Sequence, residues 1–159
     1  MTVMAIDPGD KYSAWVVYDD SEADGVIVDK GYEVNANVLK SVAHWNKYVD
    51  HLAIEMIASY GMAVGRSVFE TCVMVGRCIQ LWDPDPYTLV YRKDVKMHLC
   101  NSMRAKDANV RQVLLDRFGP PGTKGKEGPT YHVIGDMWSA LAVAVTWCDT
   151  VGCADVQVH

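Results

Sequence analysis

Six residues, Met4-Ala5-Ile6-Asp7-Pro8-Gly9, constrain the fold of this chain more than any other stretch. Val3 to Ile6 is an unbroken apolar run, the pattern of a strand covered on both faces. Asp7 closes the run, and Pro8-Gly9 turns the chain there. A carboxylate at the carboxyl end of a central strand sits where open sheets present their ligands. The plainer account, an aspartate that merely opens an Asp-Pro-Gly turn, also covers this fragment taken alone.

A second acid strengthens the first. Leu52-Ala53-Ile54-Glu55-Met56-Ile57 is another buried-strand run, with Glu55 inside it. An ionised carboxylate in such surroundings costs several kcal/mol unless a cation or a metal compensates it. An edge position facing water, or a nearby arginine, would explain Glu55 as well. With Asp7 on a neighbouring strand, however, two acids converge and need a counterion.

At 159 residues, half of them apolar, the chain is expected to form one domain over residues 1–159 with a real core. No apolar run is long enough to span a membrane, and the opening Met-Thr-Val carries no basic region, so neither a membrane partner nor a signal peptide is expected. The cysteines at 72, 78, 100, 148 and 153 form no Cys-x-x-Cys pair. They read as buried thiols of a reducing cytoplasm, not as a disulfide or zinc framework. The net charge of −5 weighs against a nucleic-acid partner only if the charges are evenly spread, and they are not.

Ser13 to Tyr18 reads as a strand paired with residues 2–7, and Gly25–Val28 and Gly31–Val34 continue a meander at an antiparallel edge. Asn35 or Asn37 is suited to cap a helix bearing Val38, Val42, Trp45 and Val49. After the Ser59–Gly65 loop, which carries Tyr60, a helix is expected from about Arg66 to Trp82. Its polar stripe (Arg66, Glu70, Arg77, Gln80) is narrow, and the apolar surplus between Val68 and Ile79 suits either deeper burial or a subunit interface. Tyr87–Tyr91 reads as the last strand, followed by helices over Arg92–Leu99 and Lys106–Phe118. Arg92, Lys93, Lys96, Arg104, Lys106, Arg111 and Arg117, close to half of the 15 basic residues, gather here. Such a cluster is a solvated face or a phosphate-binding surface. Gly119–Pro129 reads as a loop, and a last helix, apolar nearly all round, starts near Gly135-Asp136 and runs to about Cys148. Asp136 in its first turn suits a helix cap as well as a metal ligand. His132 lies four residues earlier.

The order of these parts resembles the RuvC Holliday junction resolvases of the RNase H-like superfamily, and the compact length and spacing look more like the phage-borne branch. The likeness covers about residues 2 to 149 and is best at Ala5-Ile6-Asp7-Pro8-Gly9 and at Asp136…Ala140-Leu141-Ala142-Val143-Ala144. It implies an α/β domain with a mixed five-stranded sheet flanked by helices. It also implies a homodimeric endonuclease that resolves four-way or branched DNA junctions in the cytoplasm, the host's if phage-encoded, with no small-molecule cofactor. By the same resemblance Asp7, Glu55 and Asp136 are catalytic metal ligands. The family usually has two ligands one helical turn apart at the last helix. Aligning Ala140-Leu141 puts Ser139 in the final place; taking Asp136 as the final acid makes His132 its partner. The second arrangement is preferred at this stage, serine being a poor substitute for an anion. Tyr60, Arg66, Lys93, Lys96, Arg104, Lys106 and Arg111 are the expected DNA contacts.

The implied chemistry is phosphodiester hydrolysis assisted by two divalent ions, Mg²⁺ or Mn²⁺, about 4 Å apart. No protein nucleophile is required. Two other readings stand beside it. One is a DNA-structure-binding protein without catalysis. The other is an actin-like or sugar-kinase nucleotide-binding domain, whose first phosphate motif resembles the Asp-Pro-Gly opening but which needs two such domains.

Overall fold

A computed structural model describes residues 1–152. The strands β1 (Thr2–Asp7), β2 (Tyr12–Asp19), β3 (Val26–Val34), β4 (His51–Met56) and β5 (Tyr87–Tyr91) form one sheet in the order β3-β2-β1-β4-β5. The pairs β1/β2 and β2/β3 are antiparallel, whereas β1/β4 and β4/β5 are parallel. The sheet is therefore mixed, with β1 at its centre. The helices are α1 (Asn35–Trp45), α2 (Arg66–Trp82), α3 (Arg92–Cys100), α4 (Asp107–Phe118) and α5 (Met137–Gly152).

The alternation of β1 divides its side chains between two cores. Val3 and Ala5 face α5, α3 and α4, joining Val95, Leu114 and Leu141. Met4 and Ile6 face α1 and α2, joining Val42, Met74 and Trp82. All four β1 residues are fully buried, which is why the run is apolar without interruption. Helix α5 is buried over most of its circumference, so its apolar pattern extends all the way round. It is pinned to the sheet by Trp147, whose indole N–H donates to Thr88 Oγ1 (3.2 Å) while its ring stacks on His51 (centroids 4.2 Å apart). His51 Nε2 lies 2.8 Å from the same hydroxyl. Because Thr88 Oγ1 accepts from the indole, its own proton is free to go to a neutral His51.

Several expectations change. Residues 26–34 form one strand where two short ones were expected: Asp29 and Lys30 lie on an exposed edge, where polar residues cost nothing, and a register shift at Val17/Tyr18 absorbs the odd residue. Neither asparagine caps α1. Helix α1 starts at Asn35 without a side-chain cap, and Asn35 is used elsewhere, as described below. Helix α5 runs on to Gly152, four residues past Cys148, because Val151 still packs on the core. Within the Gly119–Pro129 loop, Gly122–Thr123 (β6) and Lys126–Glu127 (β7) pair as a minimal hairpin.

Helix α2 divides its apolar residues differently from the expected interface. Met74, Val75, Cys78 and Trp82 belong to the core of this chain, and Ile79 packs against them. Phe69 and Val73 are 61% and 63% exposed. Of the described cysteines, Cys78 and Cys148 are buried and Cys72 and Cys100 half-buried, all as free thiols, while Cys153 lies outside the described residues. Burial pushes both the Cys78 and the Cys148 thiols up to about 12. Among the described residues no helix is long and apolar enough to cross a membrane.

Candidate active site

The parallel register pairs Ile6 with Ile54, so Asp7 and Glu55 follow side by side at the carboxyl ends of β1 and β4. Side-chain alternation sends both to the face on which Val3, Ala5 and Ala53 meet α5. Helix α5 brings its own start to the same place: the Asp136 carbonyl accepts the first helical bond, from Ala140 N–H (3.1 Å). Three elements far apart in sequence thus deliver Asp7, Glu55 and Asp136 to one edge of the sheet.

The electrostatics record the convergence. Burial, then the charges of Glu55 and Asp136, push the Asp7 carboxyl up from 3.8 to about 7, against the pull of Arg92 and of the Ser139 hydroxyl. Burial also raises Glu55, with Asp107 and Asp136 adding to the effect and Arg92 and Lys96 opposing it. Two partly buried acids with too little positive charge around them form a centre that attracts cations.

The turn carrying Asp7 is tied down on its far side. Gly9 N–H donates to Ser13 Oγ (3.1 Å), and Ser13 Oγ–H donates to Asn35 Oδ1 (2.7 Å). The Asn35 amide in turn donates to the carbonyls of Gly9 (3.0 Å) and Asp10 (3.1 Å). Ser13 is buried at the centre of this network, whose outer bond, to Asp10, is exposed.

Beside the acids stands Arg92, the first residue of α3. Its Nη1 lies 3.5 Å from Glu55 Oε2, and its Nη2 lies 2.6 Å from Asp107 Oδ1 at the start of α4. Burial works against the Arg92 charge, but Glu55 and Asp107 hold it above its ordinary range. From there a cleft of 510 Å³ opens, lined by Arg92, Asp107, Arg111, Asp136, Trp138 and Ser139 among others. The Arg111 guanidinium sits over the Trp138 ring, 5.2 Å from its centroid.

His132 is placed apart from this cleft. It is exposed at a positive φ of 60°, its ring stacks on Tyr131, and it lines a separate hollow with Asp29, Lys30, Ile134 and Met137. Ser139, one helical turn beyond Asp136, is the residue that reaches Asp7. Ser139 and Asp136 thus line one cleft and His132 another hollow. The reason is local: α5 begins only at Met137, so residues 132 and 136 do not share a helical face, whereas 136 and 139 do.

Of the expected DNA contacts Arg111 lines the cleft, and the others lie on several elements. Tyr60 is 63% exposed, in a loop after β4 and at a φ of 46°. Arg66 is exposed and pairs with Glu70 (2.6 Å). Lys93 and Lys106 are exposed, and Lys96 Nζ approaches Asp107 Oδ1 (3.9 Å). Arg104 lines a second hollow between α3 and α4. Arg117 turns away: its guanidinium grips Asp149 through two bonds of 2.7 and 2.9 Å. Sequence reasoning missed the roles of Asn35, Ser13 and Asp107; only Asp107, an acid at the start of a helix directly after Lys106, left any trace in the pattern.

A mixed five-stranded sheet in this order, helices on both faces and acids at the carboxyl ends of its central strands define the RNase H-like class of fold. Among solved structures, the chain is similar to that of Thermus thermophilus RuvC, with a TM-score of 0.74 at 17% identity over 96% of this chain and 97% of that one. T. thermophilus RuvC in complex with Holliday junction substrate gives 0.72 at 17% identity, covering 92% of each chain. The fowlpox virus Holliday junction resolvase gives 0.50 at 10% identity, covering 94% of this chain and 99% of that one. At these identities what is shared is the fold. No protein-family model and no curated protein matches the sequence.

Proposed function

We propose that this chain is a metal-dependent endonuclease that cuts four-way or branched DNA junctions by phosphodiester hydrolysis. The observation that carries the reading is the delivery of Asp7, Glu55 and Asp136 to one sheet edge, in a fold shared with a protein solved on Holliday junction substrate. Three carboxylates are an all-oxygen donor set suited to hard divalent ions, Mg²⁺ or Mn²⁺. The repulsion that raises Asp7 and Glu55 is what such ions would relieve. The donor chemistry fits, with the resemblance pointing to two ions. Ser139 is a weak neutral donor beside them, and His132 is left outside the set.

Bound there, the ions would activate a water for in-line attack and stabilise the leaving 3′ oxygen. The chain's own residues do the rest. Ser13 and Asn35 fix the turn that aims Asp7, and Trp138 walls the cleft against solvent. Arg104, Lys106, Arg111, Lys93 and Lys96 offer phosphate contacts along α3 and α4, with Arg66 at the start of α2. Tyr60 presents an exposed ring for stacking on an unpaired base, worth about 1–3 kcal/mol.

We also assign the dimer contact to the outer face of α2, where Phe69 and Val73 stand exposed, with Met62 and Val64 exposed in the loop that leads into the helix. Gly76 lies on that face in mid-helix, and a Cβ there would meet nothing within 4 Å in this chain. A glycine costs a helix interior about 1 kcal/mol relative to alanine, and close approach of a second helix accounts for it. A two-fold dimer would set one site near each of two strands of a junction.

The test is denaturing gel analysis of a labelled synthetic four-way junction incubated with the protein and Mg²⁺ or Mn²⁺. Paired nicks that vanish with chelator and with Glu55→Gln are the expected result. Binding without nicking would favour the non-catalytic DNA-binding reading, and binding of ATP the nucleotide-binding one.

A further inference from the structure

We propose that Arg92 is the resident counter-cation of the carboxylate centre, pivoting on Asp107 and releasing Glu55 when a divalent ion enters. This rests on the reading of Asp7, Glu55 and Asp136 as metal ligands.

The two arms of Arg92 are unequal. The Nη2–Asp107 contact, at 2.6 Å, is a close charge-assisted bond, whereas the Nη1–Glu55 contact, at 3.5 Å, is at the limit of one. The firm arm holds a carboxylate that is 78% exposed, and the loose arm reaches one that is 14% exposed. Solvation alone would favour the opposite ordering, since the buried acid has more need of a cation. Asp107 prevails through position. It opens α4, whose start is set by the Lys106 N–H donating to Asn109 Oδ1 (2.8 Å).

Arg92 itself follows directly on Tyr91, which pairs with Met56, while Glu55 pairs with Val90. The Arg92 side chain thus starts close to Glu55, within reach of it and of Asp107, and Asp107 decides which way the guanidinium leans. A guanidinium and a divalent ion compete for one carboxylate. Among the described residues no three His, Cys, Asp or Glu side chains stand close enough together to form an ion-binding group without some movement. Entry of an ion therefore asks Arg92 to let go of Glu55, and Asp107 keeps the withdrawn charge at the cleft wall, where a phosphate would lie.

The proposal makes Arg92 and Asp107 act on metal affinity with opposite signs, which a merely structural bridge would not do. Mn²⁺ binding to the metal-free protein is measured by calorimetry for the wild type, Arg92→Gln, Asp107→Asn, the double variant and Glu55→Gln. Arg92→Gln, freed of the competing cation, should bind Mn²⁺ about three- to tenfold tighter. Asp107→Asn lets Arg92 settle on Glu55 and should bind about two- to fivefold more weakly. The double variant should behave as Arg92→Gln. Asp107 is exposed, so its replacement leaves folding intact, which circular dichroism verifies for the whole set. Unchanged or weaker binding in Arg92→Gln, or tighter binding in Asp107→Asn, overturns the proposal. If Glu55→Gln abolishes Mn²⁺ binding while Arg92→Gln leaves it unmoved, only the role of Arg92 falls. If Glu55→Gln leaves binding intact, the ligand assignment falls with it.

Discussion

Replacing Asp7 with asparagine should make the metal-free protein more stable, although it removes the residue at the centre of the site. In the folded chain the Asp7 carboxyl is raised from 3.8 to about 7, by burial first and then by Glu55 and Asp136. An acid whose folded pKa lies above its unfolded one opposes folding once it ionises. The penalty is absent below about pH 4, grows through the window between the two values and is complete above pH 7. A shift of that size corresponds to about 4 kcal/mol at most. Relaxation of Glu55 and Asp136 and the imperfect fit of an amide reduce the gain to about 2 kcal/mol. For a chain of this length that is about 4–8 °C in Tm. The assay is thermal unfolding in chelator at pH 8 and at pH 4.5, wild type against Asp7→Asn. A gain at pH 8 that shrinks to about a quarter at pH 4.5 is expected, and added Mn²⁺ should stabilise the wild type more than the variant. An Asp7→Asn protein no more stable than the wild type at pH 8 would refute the electrostatic account of the site.

Two further outcomes follow from the packing. Val73→Glu should remain folded and break the proposed α2 contact, sedimenting as a monomer, whereas Val75→Glu, which buries a charge in the core, should fail to fold; a Val73→Glu dimer at micromolar concentration would remove α2 as the interface. His51 is lowered to about 4 by burial. Its neutral form stabilises the fold fully above pH 6.5, and that contribution is lost as pH falls towards 4. The full shift would be about 3 kcal/mol, and solvent reaching the half-buried ring leaves roughly 1–2, so His51→Gln should flatten the fall of Tm between pH 6.5 and 4 by that amount.

The central strands were legible because β1 and β4 are buried on both faces, which removes the alternation and leaves apolar runs ended by an acid. Helix α2 was legible to the residue at both ends, Arg66 and Trp82, since a glycine-containing loop and a proline-rich turn bound it. Its two apolar faces were harder to separate. Val73 and Val75 look alike in sequence, and only the position of α1 and the sheet decides which is covered. His132 illustrates a different limit: a spacing of four suggests a shared helical face only if the helix already exists there, and α5 begins five residues later. The Arg92–Asp107 pair was invisible for the opposite reason. Its residues are 15 apart and joined through the start of α4, so no local period links them.

The bonds that tie Asn35 to Gly9, Asp10 and Ser13 join the turn carrying Asp7 to an edge strand of the sheet. Strand β3 is one of the two edges, with one side of its backbone unpaired in the sheet, and Asn35 follows it directly. Fraying of that edge would loosen Ser13 and Gly9 before any core residue moved. The protein would thus be disarmed at a lower temperature than it is unfolded, with Asp7 wandering while the two cores on either side of β1 stay intact.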